Sequence, residues 1–305
     1  MVELKKADAN VMHQSFAGDV YNSAVYLKRC FEKFESGFIS AIGTDPLSLD
    51  MRAQFRQEDI NDDFVFTSSE RVPGLYLINT DKYGERSFTY WRENAAARSV
   101  MNFINDVVVN TLKQSDMIFF SGISLAVIEP QARQLFWQRM SDLKTAGVKI
   151  VFDPNYRAKL WQDAAKAQQQ FEKAFALADI LLPGIEDFHS LYGLQNIQQV
   201  SDFLAPYHID EIIVKNGPSS VISIINGIEE EHVITPVDRV VDTTSAGDSF
   251  NGAYLGARLN NDTVQHAISL GAAAAAFVIQ HSGAIVDKVS FKQYIQAVKA
   301  KFSVS

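Results

Sequence analysis

At 305 residues, 47% hydrophobic and 21% charged, the chain has the composition of a folded globular protein, not of a disordered or fibrous one. Its net charge of -8 argues against a nucleic-acid partner and against adhesion to an anionic membrane. One cysteine, Cys30, excludes a disulfide framework and a cysteine metal site, and with no membrane-length apolar run or signal-peptide core a cytoplasmic protein is expected.

Taken in order, residues 1–4 read as the tail of a strand. Phe16-Ala17-Gly18-Asp19 is a helix-start turn before a helix expected over 20–34, with Asn22 one turn inside. A buried strand at 38–43 and a short helix at 46–58 follow. The pattern then changes. Segments 72–80 and 86–91 are rich in β-branched and aromatic residues, and Asp81-Lys82-Tyr83-Gly84 supplies a turn, which predicts a β-hairpin with a further strand at 64–66. Such a small sheet, set early in an otherwise alternating chain, is expected to serve as a lid or a dimer surface. It would be built from about 10–17 and 63–92, inserted in a single domain spanning 1–305, and it closes on the aromatic–cation cluster Tyr90-Trp91-Arg92.

From about residue 95, strands and helices alternate. Short apolar strands are expected at Met117–Ser121, 149–152, 180–182, 212–214, 221–225 and 232–235. Helices are expected between them near 130–146, 162–178 and 197–207. This alternation implies an α/β fold, a mostly parallel sheet covered on both faces. The segment 221–235, with Asn226-Gly227 at its turn, would add antiparallel strands at one edge. The remainder is helical: to about 259, then 262–280 and 290–302. In the second of these, Gly271-Ala272-Ala273-Ala274-Ala275-Ala276 permits close packing against a neighbouring helix.

Ligands of parallel α/β sheets bind at the carboxyl ends of the strands. Five polar clusters fall on that rim: Ser121-Gly122, Asp153-Pro154-Asn155-Tyr156-Arg157, Gly184-Ile185-Glu186-Asp187, Lys215-Asn216-Gly217, and Asp242-Thr243-Thr244-Ser245-Ala246-Gly247-Asp248. A single site is the economical interpretation. In the last cluster, small residues let the backbone approach a ligand, and the helix start offers unpaired N–H groups suited to phosphate oxygens. Asp248 then suits a base that takes a proton from a hydroxyl while phosphate is held beside it. The plainer alternative makes Asp242 a turn cap and Asp248 a helix cap.

No P-loop, dinucleotide-binding, His-Glu-x-x-His or Gly-x-Ser-x-Gly motif occurs, and the six histidines are scattered. Phosphoryl transfer by another architecture remains. The stretch from Asp242 to Phe250 closely resembles the C-terminal signature of the ribokinase-like (pfkB) carbohydrate kinases, and the likeness extends over essentially the whole chain. The succession Gly18-Asp19-Val20-Tyr21-Asn22, Pro73-Gly74-Leu75-Tyr76, Gly84-Glu85-Arg86, Tyr90-Trp91-Arg92, Ser121-Gly122-Ile123-Ser124 and Asp153–Arg157 is most similar to the branch acting on 2-keto-3-deoxygluconate.

The resemblance implies a three-layer α/β/α domain with a β-sheet lid, and transfer of the ATP γ-phosphoryl group to the 6-hydroxyl of that acidic sugar. A neutral ketose such as fructose is the alternative substrate, and a catalytically impaired binding protein the alternative class. The sugar would lie between Gly18, Asp19 and Asn22 on one side and Tyr76, Tyr90 and Arg92 on the other. Arg157 would stand between the sugar and the moving phosphoryl group. ATP would lie along Lys215, Gly217, Ser219 and the turn at Ser245, Ala246 and Gly247, with Asn155 nearby. Asp248 would be the base, aided by N–H groups from Ala246 to Asp248. Magnesium would bridge the phosphates near Glu186, a monovalent cation could sit by Asp242, and the lid would join two copies into a homodimer.

Two departures from the family pattern stand out. The chain opens near the end of what is a complete first strand in that family, so a shortened start or a sheet lacking a central strand is expected. The family's Asn-x-x-Glu element reads Pro183-Gly184-Ile185-Glu186 here, with the Glu but not the Asn.

Overall fold

The first strand, β1 (Val2–Asp8), pairs antiparallel with β2 (Val11–Phe16), which leads into helix α1 (Asp19–Cys30). The structure, a computed structural model, describes residues 1–8, 10–80 and 86–302. The turn expected at Asp81-Lys82-Tyr83-Gly84, and with it most of Gly84-Glu85-Arg86, lies outside the described residues.

Next come β3 (Ser36–Gly37), β4 (Ser40–Ile42), α2 (Pro46–Gln57), β5 (Ile60–Asn61) and β6 (Val65–Thr67), pairing in parallel as β3 with β5 and β4 with β6. Helix α2 starts where its cap requires: Asp45 accepts the Ser48 N–H at 3.1 Å and Pro46 occupies the first turn. Strands β7 (Leu75–Thr80) and β8 (Arg86–Trp91) then complete a four-stranded sheet ordered β2-β1-β7-β8. Residues 1–4 therefore belong to this small sheet and not to a central strand, because β1 finds partners on both edges there, parallel to β7 and antiparallel to β2. The short strand near 65 lies outside that sheet, on β4.

The remaining chain runs α3 (Asp106–Leu112), β9 (Met117–Ser121), α4 (Gly122–Val127), α5 (Arg133–Thr145), β10 (Lys149–Asp153), α6 (Ala164–Leu177), β11 (Ile180–Leu181), α7 (Ile185–Tyr192), α8 (Ile197–Leu204) and β12 (Glu211–Asn216). It ends with β13 (Ser220–Ile225), β14 (Ile228–Val233), α9 (Ala246–Leu259), α10 (Val264–Val278) and α11 (Lys288–Phe302). The central sheet is ordered β14-β13-β12-β11-β10-β9, parallel from β9 to β12 and antiparallel beyond. The β13–β14 turn has Asn226 and Gly227 both in the left-handed region, at φ 51° and 76°, the conformation a tight hairpin demands. Helix α7 was not expected from the sequence; it has only eight residues, and Gly193 at φ 70° stops it.

Alternation along the strands explains the layers. Ile150, Phe152, Leu181, Ile212 and Val214 enter one core, with Phe136, Trp137, Phe171 and Phe175 from the helices. Val151, Ile180, Leu182 and Ile213 enter the opposite core, with Tyr26, Phe250, Tyr254 and Phe291. A strand of period two buried on both faces needs apolar residues at every position, and these strands have them. The helices α1 and α9 cross closely: a Cβ on Gly252 would overlap the Ser23 carbonyl and the Leu27 nitrogen. Gly271 of α10 lies against the Phe250 ring, the close packing its small-residue run implied.

Candidate active site

The carboxyl ends of β9, β10, β11 and β12 open on a cavity of about 1850 Å³ that also reaches the small sheet. Four of the five rim clusters read from the sequence place several residues in its lining, and the fifth, Ser121-Gly122, adjoins it through Phe120, Ile123 and Ser124. A Cβ on Gly122 would overlap the Pro154 carbonyl and the Phe171 ring, so only glycine lets the loop after β10 sit against the end of β9.

Asp248 stands in the first turn of α9, following Ser245, which is left-handed at φ 65°. Its Oδ2 accepts a hydrogen bond from Asn22 Nδ2 at 2.8 Å, so two residues 226 positions apart in sequence meet at the rim. Burial first, and the charge of Asp19 second, push the Asp248 carboxyl up to about 7, against the opposing pull of Asn22. The Ala246 N–H is occupied by the Thr243 carbonyl at 3.3 Å. Those of Gly247 and Asp248 have no hydrogen-bond partner among the described residues, as the first turn of a helix leaves them. Ser245 Oγ is buried and makes no well-formed hydrogen bond, although it lies near enough to Asp248 to favour its charged form.

Asp19 opens α1 and receives the Ser121 hydroxyl at 2.5 Å and Asn155 Nδ2 at 3.2 Å. Burial holds its carboxyl above the ordinary carboxylate range, and the charge of Asp153 adds to this. Asn22 also accepts the Gly18 N–H at 3.3 Å, which ties the start of α1 to the site. Behind these residues lies a network that sequence reading did not assign. Asp153 Oδ2 accepts from Lys215 Nζ at 3.1 Å and Asn251 Nδ2 at 2.6 Å, and Lys215 Nζ also donates to Asn251 Oδ1 at 3.1 Å. Asn251 stands three residues after Asp248, one helical turn on, which is the signal that could have found it. Asp187, named in a rim cluster but given no role, takes the Tyr156 and Gly184 N–H groups at 2.7 and 2.9 Å. Burial, then the charge of Asp153, push it up to about 6.

From the small sheet, Tyr76, Tyr90 and Arg92 face the cavity. The Tyr76 hydroxyl donates to Glu3 on β1, which also accepts from Ser15 on β2 at 2.9 Å. The Arg92 guanidinium lies over the Tyr90 ring at 4.2 Å, and burial lowers its pKa. Arg157 and Glu186 are exposed and line the cavity, as does Gly217. Ser219 and Asp242 do not. The carboxylate of Asp242 accepts the Thr244 and Gly283 N–H groups at 2.8 and 2.9 Å, pinning the turn before α9 to the segment after α10.

Residues 3–290 match the family described as pfkB carbohydrate kinases. The chain is 36% identical to 2-dehydro-3-deoxygluconokinase of Haemophilus influenzae, over 95% of this chain and 94% of that protein. It is 35% identical to the enzyme of the same name from Dickeya dadantii, over 94% of each chain. The crystal structure of a PfkB protein from Polaromonas superposes with a TM-score of 0.84 at 22% identity, covering 97% of this chain and 96% of that one. The fold is therefore ribokinase-like, and with the family match over residues 3–290 and a half-buried carboxylate at a helix start facing the cleft, this chain belongs to the pfkB family of carbohydrate kinases.

Proposed function

We propose that the chain transfers the γ-phosphoryl group of ATP to the 6-hydroxyl of 2-keto-3-deoxy-D-gluconate, giving 2-keto-3-deoxy-6-phosphogluconate and ADP. The observation that carries the chemistry is Asp248, whose carboxyl is pushed up to about 7. A base tuned to neutral pH can accept the hydroxyl proton and still be ionised often enough to act. The two unpartnered N–H groups, of Gly247 and Asp248, are placed to stabilise charge on the phosphoryl oxygens as it passes. The sugar then lies between Gly18, Asp19 and Asn22 and the side chains of Tyr76, Tyr90 and Arg92. Its carboxylate suits the arginine, since guanidinium and carboxylate match through paired hydrogen bonds. Arg157 is available to the moving phosphoryl group.

ATP is proposed to lie along Lys215, Gly217 and the Ser245–Gly247 turn, with Asn155 and Ser219 at its margins. Among the described residues no three His, Cys, Asp or Glu side chains converge into a metal cage. That suits magnesium, which is held largely by phosphate oxygens and water, with one carboxylate such as the exposed Glu186 at its edge. Bound there, the ion would neutralise charge on the phosphates. A monovalent ion is proposed near Asp242, whose carboxylate oxygens each accept one N–H group and could still offer a lone pair. We assign the small sheet the role of a lid over the sugar, within one domain, and place the enzyme in the cytoplasm, where ATP is at hand.

The test is an ADP-release assay across acidic and neutral sugars with product identification. Turnover is expected to favour 2-keto-3-deoxygluconate by a wide margin; preference for fructose, or no phosphorylated product at all, would defeat the reading. In the same assay Arg92→Ala should raise KM for the acidic sugar about tenfold or more while leaving KM for ATP nearly unchanged.

A further inference from the structure

Arg92 is not alone. Six residues on, Arg98 lines the same cavity, half-buried, from the 3-10 turn at residues 96–102. The backbone joins the two by consecutive tight turns: the Ala95 N–H donates to the Arg92 carbonyl at 3.1 Å and the Arg98 N–H to the Ala95 carbonyl at 3.0 Å. Ala95, between them, also lines the cavity, so its small side chain leaves both arginines facing that space. The segment is held from outside, with the Ala96 N–H on the Val72 carbonyl at 2.9 Å and the Glu129 N–H on the Arg98 carbonyl at 3.2 Å. Glu129 itself is taken by Arg71 at 2.6 Å.

Among the described residues the Arg98 guanidinium has no hydrogen bond and no ion pair, and that of Arg92 lies over the Tyr90 ring, with the charges of Glu93 and Asp19 near enough to favour its charged form. Their charges repel one another, and Arg98 also repels Arg133, whose own guanidinium is spent on the Leu125 and Ala126 carbonyls at 2.9 and 3.3 Å. A partly buried guanidinium beside like charges, as Arg98 is, gains most from an anion that joins it. Two guanidinium forks carried on one braced backbone segment can each meet a planar carboxylate through paired hydrogen bonds.

We propose that Arg98 is a second anchor for the sugar carboxylate, sharing it with Arg92 and setting the preference for an acidic over a neutral sugar. This rests on the reading of the substrate given above. It makes Arg98 a specificity residue, remote from the ATP end at Lys215 and Gly217.

Calorimetric binding tests it without requiring turnover. Wild type, Arg98→Gln and Arg98→Lys are titrated with 2-keto-3-deoxygluconate and with its uncharged C1 carboxamide, and separately with ATP. Arg98→Gln should weaken the acid about tenfold or more and the carboxamide far less, with ATP affinity unchanged. Arg98→Lys, which keeps the charge but loses the fork, should fall between. Equal losses for acid and carboxamide, or no loss, would overturn the proposal, as would a wild type that binds neither sugar. Thermal midpoints of the variants separate unfolding from lost recognition. Should the acid bind in an Arg98-dependent way yet give no phosphorylated product, the proposed reaction falls and the anchor stands.

Discussion

Asp248 is ordinary in sequence and unusual in place. Its carboxyl is shifted by burial and by Asp19, and the shift has two separable consequences. For catalysis the base must be ionised, so kcat/KM should climb with pH through about 7 and level above it. Asp248→Asn should cut kcat about 10²–10⁴-fold while ATP binding by calorimetry persists. For stability the sign is opposite. A carboxyl whose pKa is raised by folding holds its proton more tightly when folded, so its contribution is whole below the unfolded value of about 4 and is lost as pH rises towards 7. Asp248→Asn should therefore melt higher than wild type at pH 8 and lose most of that advantage at pH 4. Each kcal/mol relieved is worth about 2 °C in a protein of this size. A variant that melts lower at pH 8 would mean that the carboxylate is not destabilising there.

Among elements, α1 bears the most. Its first turn carries Asp19 and Asn22 into the site, while its last turn is fixed by Arg29. That guanidinium meets both oxygens of Glu58, at 2.9 and 2.8 Å, and the Val286 carbonyl at 2.7 Å, all buried. Glu58→Ala leaves the arginine charged and unpaired, and should cost about 3–5 kcal/mol, read as a fall in the urea midpoint. A fall of under 1 kcal/mol would show that the pair is solvated in solution. On its other face α1 touches α9 through Gly252. Gly252→Ala must push the two helices apart, since the added carbon meets the α1 backbone at Ser23 and Leu27. About 1–3 kcal/mol of stability should be lost, and kcat should fall as well, because the same displacement separates Asn22 from Asp248. The helices themselves were largely readable: apolar spacing marked α1, α2, α5, α6, α8, α9, α10 and α11, and the turns at Gly18-Asp19 and before Asp248 marked the starts of α1 and α9. Short α3, α4 and α7 were not, since a helix of about two turns makes too little pattern to distinguish from a loop.

At the scale of the molecule, the small sheet turns an apolar surface outward. Val11 and Met12 on β2 are 52% and 48% exposed, and Phe88 and Trp91 on β8 are 43% and 54%. Of these, Met12 and Trp91 share the face of the sheet opposite Tyr90, and large side chains exposed there suit a second copy of the chain better than water. A homodimer is expected by sedimentation, and Met12→Lys with Trp91→Glu should shift it to monomer. A monomeric wild type at micromolar concentration would refute this face as a dimer surface. The sheet's internal order was hidden from the sequence. That β1 would run parallel to β7, some 70 residues later, follows from which edges are free once the chain has collapsed, and no local pattern encodes it.

What the chain determined by itself is the set of local structures and the chemistry gathered at their ends. Alternation, caps and glycine-bearing turns act over a few residues and can be read there, as can the signature from Asp242 to Asp248. Tertiary structure decided which of those groups meet: Asn22 on Asp248, and Asp153 with Lys215 and Asn251, with Arg98 and Arg92 lining one cavity. It also decided that a common aspartate would titrate near neutrality. Burial and the field of a distant carboxylate are properties of the folded space around a side chain, and that space exists only after the strands have paired and the helices have closed over them.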